Sequence, residues 1–157
     1  RALMMLAKGG GMRHALRLAR AAAQHGEVPI GAVIVRDADG IILGEGRNMC
    51  EERQLATRHA EMIAIEQAAE KVGSWRLNSE GPVSMYVNVE PCLHCYGAML
   101  LSRIETLHFG ARNHRFGFLS AHEIDTALGP RRIGVKEGEL ANDSVRLLQD
   151  FFSKRRQ

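Results

Sequence analysis

Apolar residues recur at helical spacing from Met12 to about His25, with Leu16, Ala19 and Ala23 on one side and Arg13, Arg17 and Arg20 on another. The run "VPIGAVIV" (28–35) is β-branched instead, "DADG" (37–40) carries turn chemistry, and "IILGEG" (41–46) resumes a strand pattern. That succession predicts a hairpin. A polar stretch, 47–58, reads as a loop, and helix formers dominate "HAEMIAIEQAAEK" (59–71). "PVSMYVNV" (82–89) reads as a buried strand stopped by Pro91, "CYGAMLLSRI" (95–104) as a helix, and "ETLHFGA" (105–111) as a further strand. Gly117, Gly129-Pro130, Gly134 and Gly138 punctuate an irregular section, 112–138. From 140 to 155, Leu140, Leu147, Leu148, Phe151 and Phe152 lie towards one face of an amphipathic helix. The order α-β-β-α-β-α-β-α predicts an α/β fold, with helices flanking a central mixed sheet in three layers. No internal repeat or low-complexity segment interrupts it.

Size and composition narrow the class. The 157 residues, 45% hydrophobic and 25% charged, suit one globular domain over 12–157 with a core that needs neither disulfides nor a structural metal. Three cysteines, Cys50, Cys92 and Cys95, make a poor disulfide framework. The C-x-x-C spacing reads as a metal or redox motif in a reducing, cytoplasmic setting. No apolar run reaches the roughly 18 residues of a membrane span, and "RALMMLAKGGG" has too short an apolar stretch for a signal peptide. Residues 1–11, with Gly9-Gly10-Gly11, are expected to form a flexible segment ahead of the fold. The formal net charge of +3 is compatible with an RNA partner without requiring one. Its positive residues gather at Arg112 with Arg115, Arg131 with Arg132, and Lys154-Arg155-Arg156.

Candidate chemistry sits in "His59-Ala60-Glu61" and "Pro91-Cys92-Leu93-His94-Cys95". Thiolate sulfur and neutral imidazole are the ligands zinc favours. With Pro91 in the first turn of a helix, both thiols would project from one side, and the helix amino terminus would favour thiolates. His59 opens another helix, so two helix starts could face one ion. A zinc that only staples the fold needs a fourth protein ligand. Cys50, His94 and His108 are available, but none has a supporting spacing. Cys50 also reads as a free loop thiol, His94 as a rim residue and His108 as an ordinary strand histidine. Three ligands and an open position are the pattern of a catalytic zinc. Glu61 alone reads as a helix-start carboxylate favoured by the dipole; beside a zinc ligand it reads as a proton carrier.

H-x-E followed by P-C-x-x-C is the signature of the zinc-dependent base deaminases, a pattern established for that class in general. The phrases "EVPIGAVIV", "GEGRN", "ATRHAEMIAI", "VEPCLHCYGAML", "SRIETLHFGARN" and "LLQDFFSKRR" resemble the tRNA adenosine deaminases over most of residues 12–157. The resemblance implies a cytidine-deaminase-like fold. It implies that His59, Cys92 and Cys95 hold one zinc ion while Glu61 carries protons. It also places Asn48, Pro91 and Asn113 against the target nucleoside, and Arg112, Arg115, Phe152, Arg155 and Arg156 against a tRNA anticodon loop. A homodimer and hydrolysis of wobble adenosine to inosine follow from the same likeness. Four departures stand out: Arg58 before the zinc histidine, Asn113 where bacterial members usually carry Asp, "FLSA" after Gly117, and Asn88 where Thr is usual. The altered segment 117–121 motivates a rival, deamination of a free base or nucleoside, against which the basic aromatic C-terminal helix argues. A non-catalytic RNA-binding subunit would be expected to lose Glu61, and a thiol redox protein gives His59 and Glu61 no role.

Overall fold

The computed structural model describes residues 3–120 and 133–156. Among these, the helices are α1 (Gly11–Gln24), α2 (Cys50–Arg53), α3 (Ala60–Val72), α4 (Leu93–Leu101) and α5 (Ala141–Arg155). The strands are β1 (Gly31–Arg36), β2 (Ile42–Arg47), β3 (Val83–Val89), β4 (Thr106–Ala111) and β5 (Gly134–Glu137). They form one sheet in the order β2-β1-β3-β4-β5, antiparallel across β2-β1-β3 and parallel across β3-β4-β5. The sheet is mixed and covered by helices on both faces, as expected.

Side-chain alternation along β1 divides the two faces. Ala32 and Ile34 join the core beneath α3 and α4, with Ala60, Ala64, Met99, Leu107 and Phe109. Val33 and Val35 point the other way, with Ile42 and Tyr86. Leu43 is an extra residue in β2, where the register moves from Ile34↔Gly44 to Val35↔Ile42. Close packing is then set by missing side chains. A Cβ on Gly44 would stand 2.1 Å from the Ala64 carbonyl oxygen, and one on Gly31 2.2 Å from that of Ala15. Helices α3 and α1 therefore rest almost directly on strand backbone.

Several boundaries differ from the sequence reading. Residues 50–53 form a helical turn inside the expected loop, because the buried Glu27 carboxylate accepts the Glu52 N–H at 2.7 Å. Helix α4 begins earlier than expected, with Cys92 as its N-cap; Pro91 precedes the cap and is not in the first turn. Strand β5 lies within the expected irregular section. All four of its residues are exposed, so no apolar alternation marks it. Residues 121–132, with Gly129-Pro130, Arg131 and Arg132, fall outside the described residues. At the amino end Gly11 is a buried helical residue rather than part of a joint. Met4 and Leu6 also exchange backbone hydrogen bonds with Ile42 and Gly40.

The Gly44 contact predicts that Gly44→Ala lowers stability by about 2–3 kcal/mol, because backbone must move to admit a methyl group. Gly97→Ala in α4, whose Cβ would meet nothing within 4 Å, is the contrasting substitution and should be neutral or stabilising by up to about 1 kcal/mol. Thermal or urea melts of the two variants compare these outcomes directly.

Candidate metal and proton-transfer site

Because β1 runs against β2 and β3, the end of β2, the start of β1 and the end of β3 meet at one edge of the sheet, beside the end of β4. Open α/β sheets place their ligands outside such carboxyl ends. His59 is the N-cap of α3 and Cys92 the N-cap of α4, both with extended backbone. Two helix amino termini thus converge, and their dipoles favour negative charge between them. His59 Nδ1 lies 3.3 Å from Cys95 Sγ and 3.6 Å from Cys92 Sγ. Tetrahedral zinc, with sulfur and nitrogen ligands at their usual distances, separates those atoms by about 3.5 Å. The donor set and spacing therefore fit a metal ion. The ring also bonds the Ala56 backbone, a contact of the kind that orients a metal-binding imidazole. His94 joins the group: one ligand atom from each of His59, Cys92, His94 and Cys95 lies within 4.8 Å of the others. His94 is exposed, however, and its Nδ1 stands 4.0 Å from Cys95 Sγ.

Charge in this cluster follows from crowding. The Cys92 thiol is pulled down to about 3, first by its hydrogen bond from Cys95 and then by His59. Cys95 is pushed far up, because its proton is shared with the Cys92 sulfur and it is buried. One proton therefore sits between two sulfurs, where a divalent cation could replace it. Glu61 is buried among these groups, and loss of water around its carboxylate raises it to about 7.

The surrounding shell is built from buried amides and one buried carboxylate. Asn48 Oδ1 accepts the Ala60 N–H at 3.0 Å, tying the end of β2 to the residue between His59 and Glu61. Its own N–H donates to the Ile30 carbonyl. The amide Nδ2 has no partner among the described residues. Ile30, Asn48, His59, Glu61, Cys92 and Asn113 line one cavity of about 440 Å³. Opposite Asn48, the 1% exposed Glu90 holds the loop after β4, which the sequence reading did not assign. Its Oε1 accepts from Arg112 Nε at 2.8 Å and Asn113 N at 3.2 Å, and its Oε2 from Leu119 N at 3.1 Å. Phe118, one of the departures, is buried and stacks on Tyr96 with ring centroids 4.1 Å apart. It plugs the loop into the core.

The other sequence candidates divide by position. Asn113 lines the cavity, with its Oδ1 committed to the Phe116 N–H. Pro91 gives its carbonyl to Phe118 N. Arg112 pairs with Glu90 and Glu137, whereas Arg115 meets no carboxylate among the described residues. Arg155 is occupied by the Gly26 carbonyl and the Phe151 ring; Arg156 is exposed, and so is Phe152. Cys50 bonds the Ala56 and Arg58 carbonyls, and His108 stacks on Tyr86, so neither joins the metal cluster. Arg58 pairs with Glu66.

Residues 8–156 match the MafB19-like deaminase family. A tRNA-specific adenosine deaminase of Streptococcus pyogenes serotype M1 is 41% identical over 149 residues, covering 93% of this chain and 84% of that protein. The chain belongs to the tRNA-specific adenosine deaminase family. A structure from a study of A-to-I editing by tRNA:A34 deaminases at the wobble position superposes on this deaminase with a TM-score of 0.79 and 33% identity, covering 88% of this chain and 98% of that one. The guanine deaminase of Bacillus subtilis shares the fold more loosely, with a TM-score of 0.64 and 27% identity over 97% of this chain and 96% of that one. Residues on each side of the cavity thus belong to a hydrolytic deaminase.

The raised Glu61 carboxyl has a consequence for stability that metal removal should expose. Below the ordinary carboxylate range Glu61 is protonated both folded and unfolded, and contributes no pH dependence. As pH rises, the unfolded chain ionises first while the folded carboxyl keeps its proton until about 7, so folding is progressively disfavoured. By pH 8 the full shift amounts to on the order of 3 kcal/mol. In chelator-treated protein Glu61→Gln should therefore raise the melting temperature at pH 8 and leave it nearly unchanged at pH 4. Calorimetry at the two pH values tests this.

Proposed function

We propose that this deaminase converts adenosine to inosine at the wobble position of tRNA anticodons, using one zinc ion held by His59, Cys92 and Cys95. The observation that carries the chemistry is the buried Glu61 carboxyl beside three ligand atoms at the floor of an open cavity. The tRNA substrate rests on the likeness to the tRNA-specific adenosine deaminases. Zinc, when bound, would act as a Lewis acid that brings the pKa of a water molecule towards neutrality.

Glu61 does the proton work. As a carboxylate it can take a proton from the attacking water and hand it to the purine ring nitrogen, then protonate the departing amine. Adenosine and water become inosine and ammonia. Asn48, anchored through Oδ1, presents its remaining amide group to the nucleoside, while Ile30 and Asn113 wall the cavity. Pro91 fixes the approach of the chain to Cys92. A loop nucleotide is already partly unstacked, which lowers the cost of placing its base in the cavity. Arg115, Arg156 and Phe152 are the RNA candidates that remain available on the surface, while Arg112 and Arg155 act by holding the loop and α5 in place.

The protein is proposed to act as a cytoplasmic homodimer. No helix among the described residues is long and apolar enough to cross a membrane. Helix α4 also leaves Leu93 and Leu101 exposed at 47% and 72%. Leu101→Glu should convert a dimer to monomer in light scattering while the monomer remains folded.

The function is tested by nucleoside mass spectrometry on an anticodon stem-loop with wobble adenine, alongside free adenosine, guanine and cytosine. Inosine should form from the RNA, and Glu61→Ala should lose at least about 10²-fold in rate. Metal analysis should find one zinc per chain, retained in His94→Ala and lost in Cys92→Ser. Ammonia release from a free base without RNA turnover would replace the tRNA reading with the small-molecule one.

A further inference from the structure

Phe116 combines a tightly fixed backbone with an open ring. Its N–H donates to Asn113 Oδ1 at 3.1 Å, and the next residue, Gly117, donates to the Asn113 carbonyl at 2.8 Å. Asn113 N and Leu119 N are both held by the buried Glu90 carboxylate. Phe118 N donates to the Pro91 carbonyl at 3.0 Å, and the Phe118 ring is locked between Tyr96 and Phe109. A Cβ on Gly117 would come 1.9 Å from Glu90 Oε2, so this packing admits no side chain there. Asn113, Gly117, Phe118 and Leu119, on both sides of Phe116, are thus tied to the core or to the metal-binding turn. Phe116 itself is 62% exposed and lines the mouth of the catalytic cavity. The Arg115 guanidinium stands 4.9 Å from its ring centroid.

Resting on the tRNA reading above, we propose that Phe116 is a stacking platform for the nucleobase next to the edited adenosine, with Arg115 closing on the same nucleotide's phosphate. An exposed ring gains nothing for the fold, whereas a fixed ring beside the cavity can receive a base without further ordering. When the edited base enters the cavity, its chain neighbours must emerge at the mouth, where Phe116 lies. Base–aromatic stacking tolerates any base, because every base has a π-face. The Arg115 guanidinium supplies the complementary charge, since it meets no carboxylate among the described residues.

The test uses anticodon stem-loops with wobble adenine, intact or with a single abasic site on either side of it. On the intact RNA, Phe116→Ala should lower kcat/KM by about 5- to 150-fold, mainly through KM, and Phe116→Trp should keep most of it. At one flanking position the abasic site should lower wild-type kcat/KM by a similar factor, and there Phe116→Ala should add no further loss. An equal loss in Phe116→Ala on all three RNAs overturns the platform. So does an unchanged kcat/KM on intact RNA. A shift of Phe116→Ala from dimer to monomer in light scattering would reassign the ring to a contact between copies, and also overturns it. If wild type makes no inosine from the intact stem-loop, the tRNA reading itself fails and this proposal falls with it. That result is distinct from wild-type turnover insensitive to Phe116. Because Phe116 is exposed, the variants should melt like wild type, which separates a binding defect from a folding one.

Discussion

Everything in this site depends on bringing two helix amino termini within a few ångströms of each other over the ends of one sheet. Imidazole and thiol groups must stand about 3.5 Å apart to share a metal ion, which leaves little room for slack in either helix. Helix α3 meets that demand because β2 carries Gly44 and Gly46 where it passes beneath Ala60 and Ala64, so the helix lies against strand backbone. Helix α4 meets it because Cys92 caps it directly after the central strand β3. A shift of α3 by the width of one methyl group would consume much of the tolerance of a tetrahedral site.

The same convergence sets the electrostatics. The hydrogen bond from Cys95 and the neighbouring His59 ring favour a thiolate at Cys92, while burial keeps a proton on Glu61 to about neutral pH. A carboxyl held in that state costs stability wherever water would ionise it. In the metal-free protein this destabilisation is the counterpart of the proton-carrying role proposed for Glu61. Glu90 is bonded differently. Also buried, it is surrounded by Arg112 and two backbone N–H groups, and serves as an anchor for the cavity wall. Burial thus dominates at Glu61, whereas Glu90 is tied to an arginine and two backbone N–H groups.

The departures at Asn88 and in "FLSA" acquire physical meaning only in this setting. Asn88, fully buried, accepts from Gly31 N and donates to the Pro29 carbonyl and Ser144 Oγ, joining β1, β3 and α5 behind the cavity. Phe118 fills the core under the loop while Phe116, two residues away, stays in solvent. Nothing in their residue type separates the two phenylalanines. The turn geometry set by Glu90 and Asn113 assigns one to the core and one to the surface.

The sequence by itself determined what short-range chemistry can determine. Apolar periodicity marked α1 and α5, helix-forming residues marked α3, β-branched runs marked the hairpin and β3, and the paired motifs named His59, Glu61, Cys92 and Cys95 with the family that uses them. These features are local, since a helix start or a ligand pair is written within a few residues. Partners distant in the chain were decided by the tertiary structure, among them Asn48 with Ala60, Glu90 with Leu119, and Arg155 with Gly26. Strand β5 belongs with them. Its four residues are exposed, and only backbone hydrogen bonds to β4 make it a strand. A hydrogen bond depends on which groups the fold brings within 3 Å, and no residue type specifies that in advance.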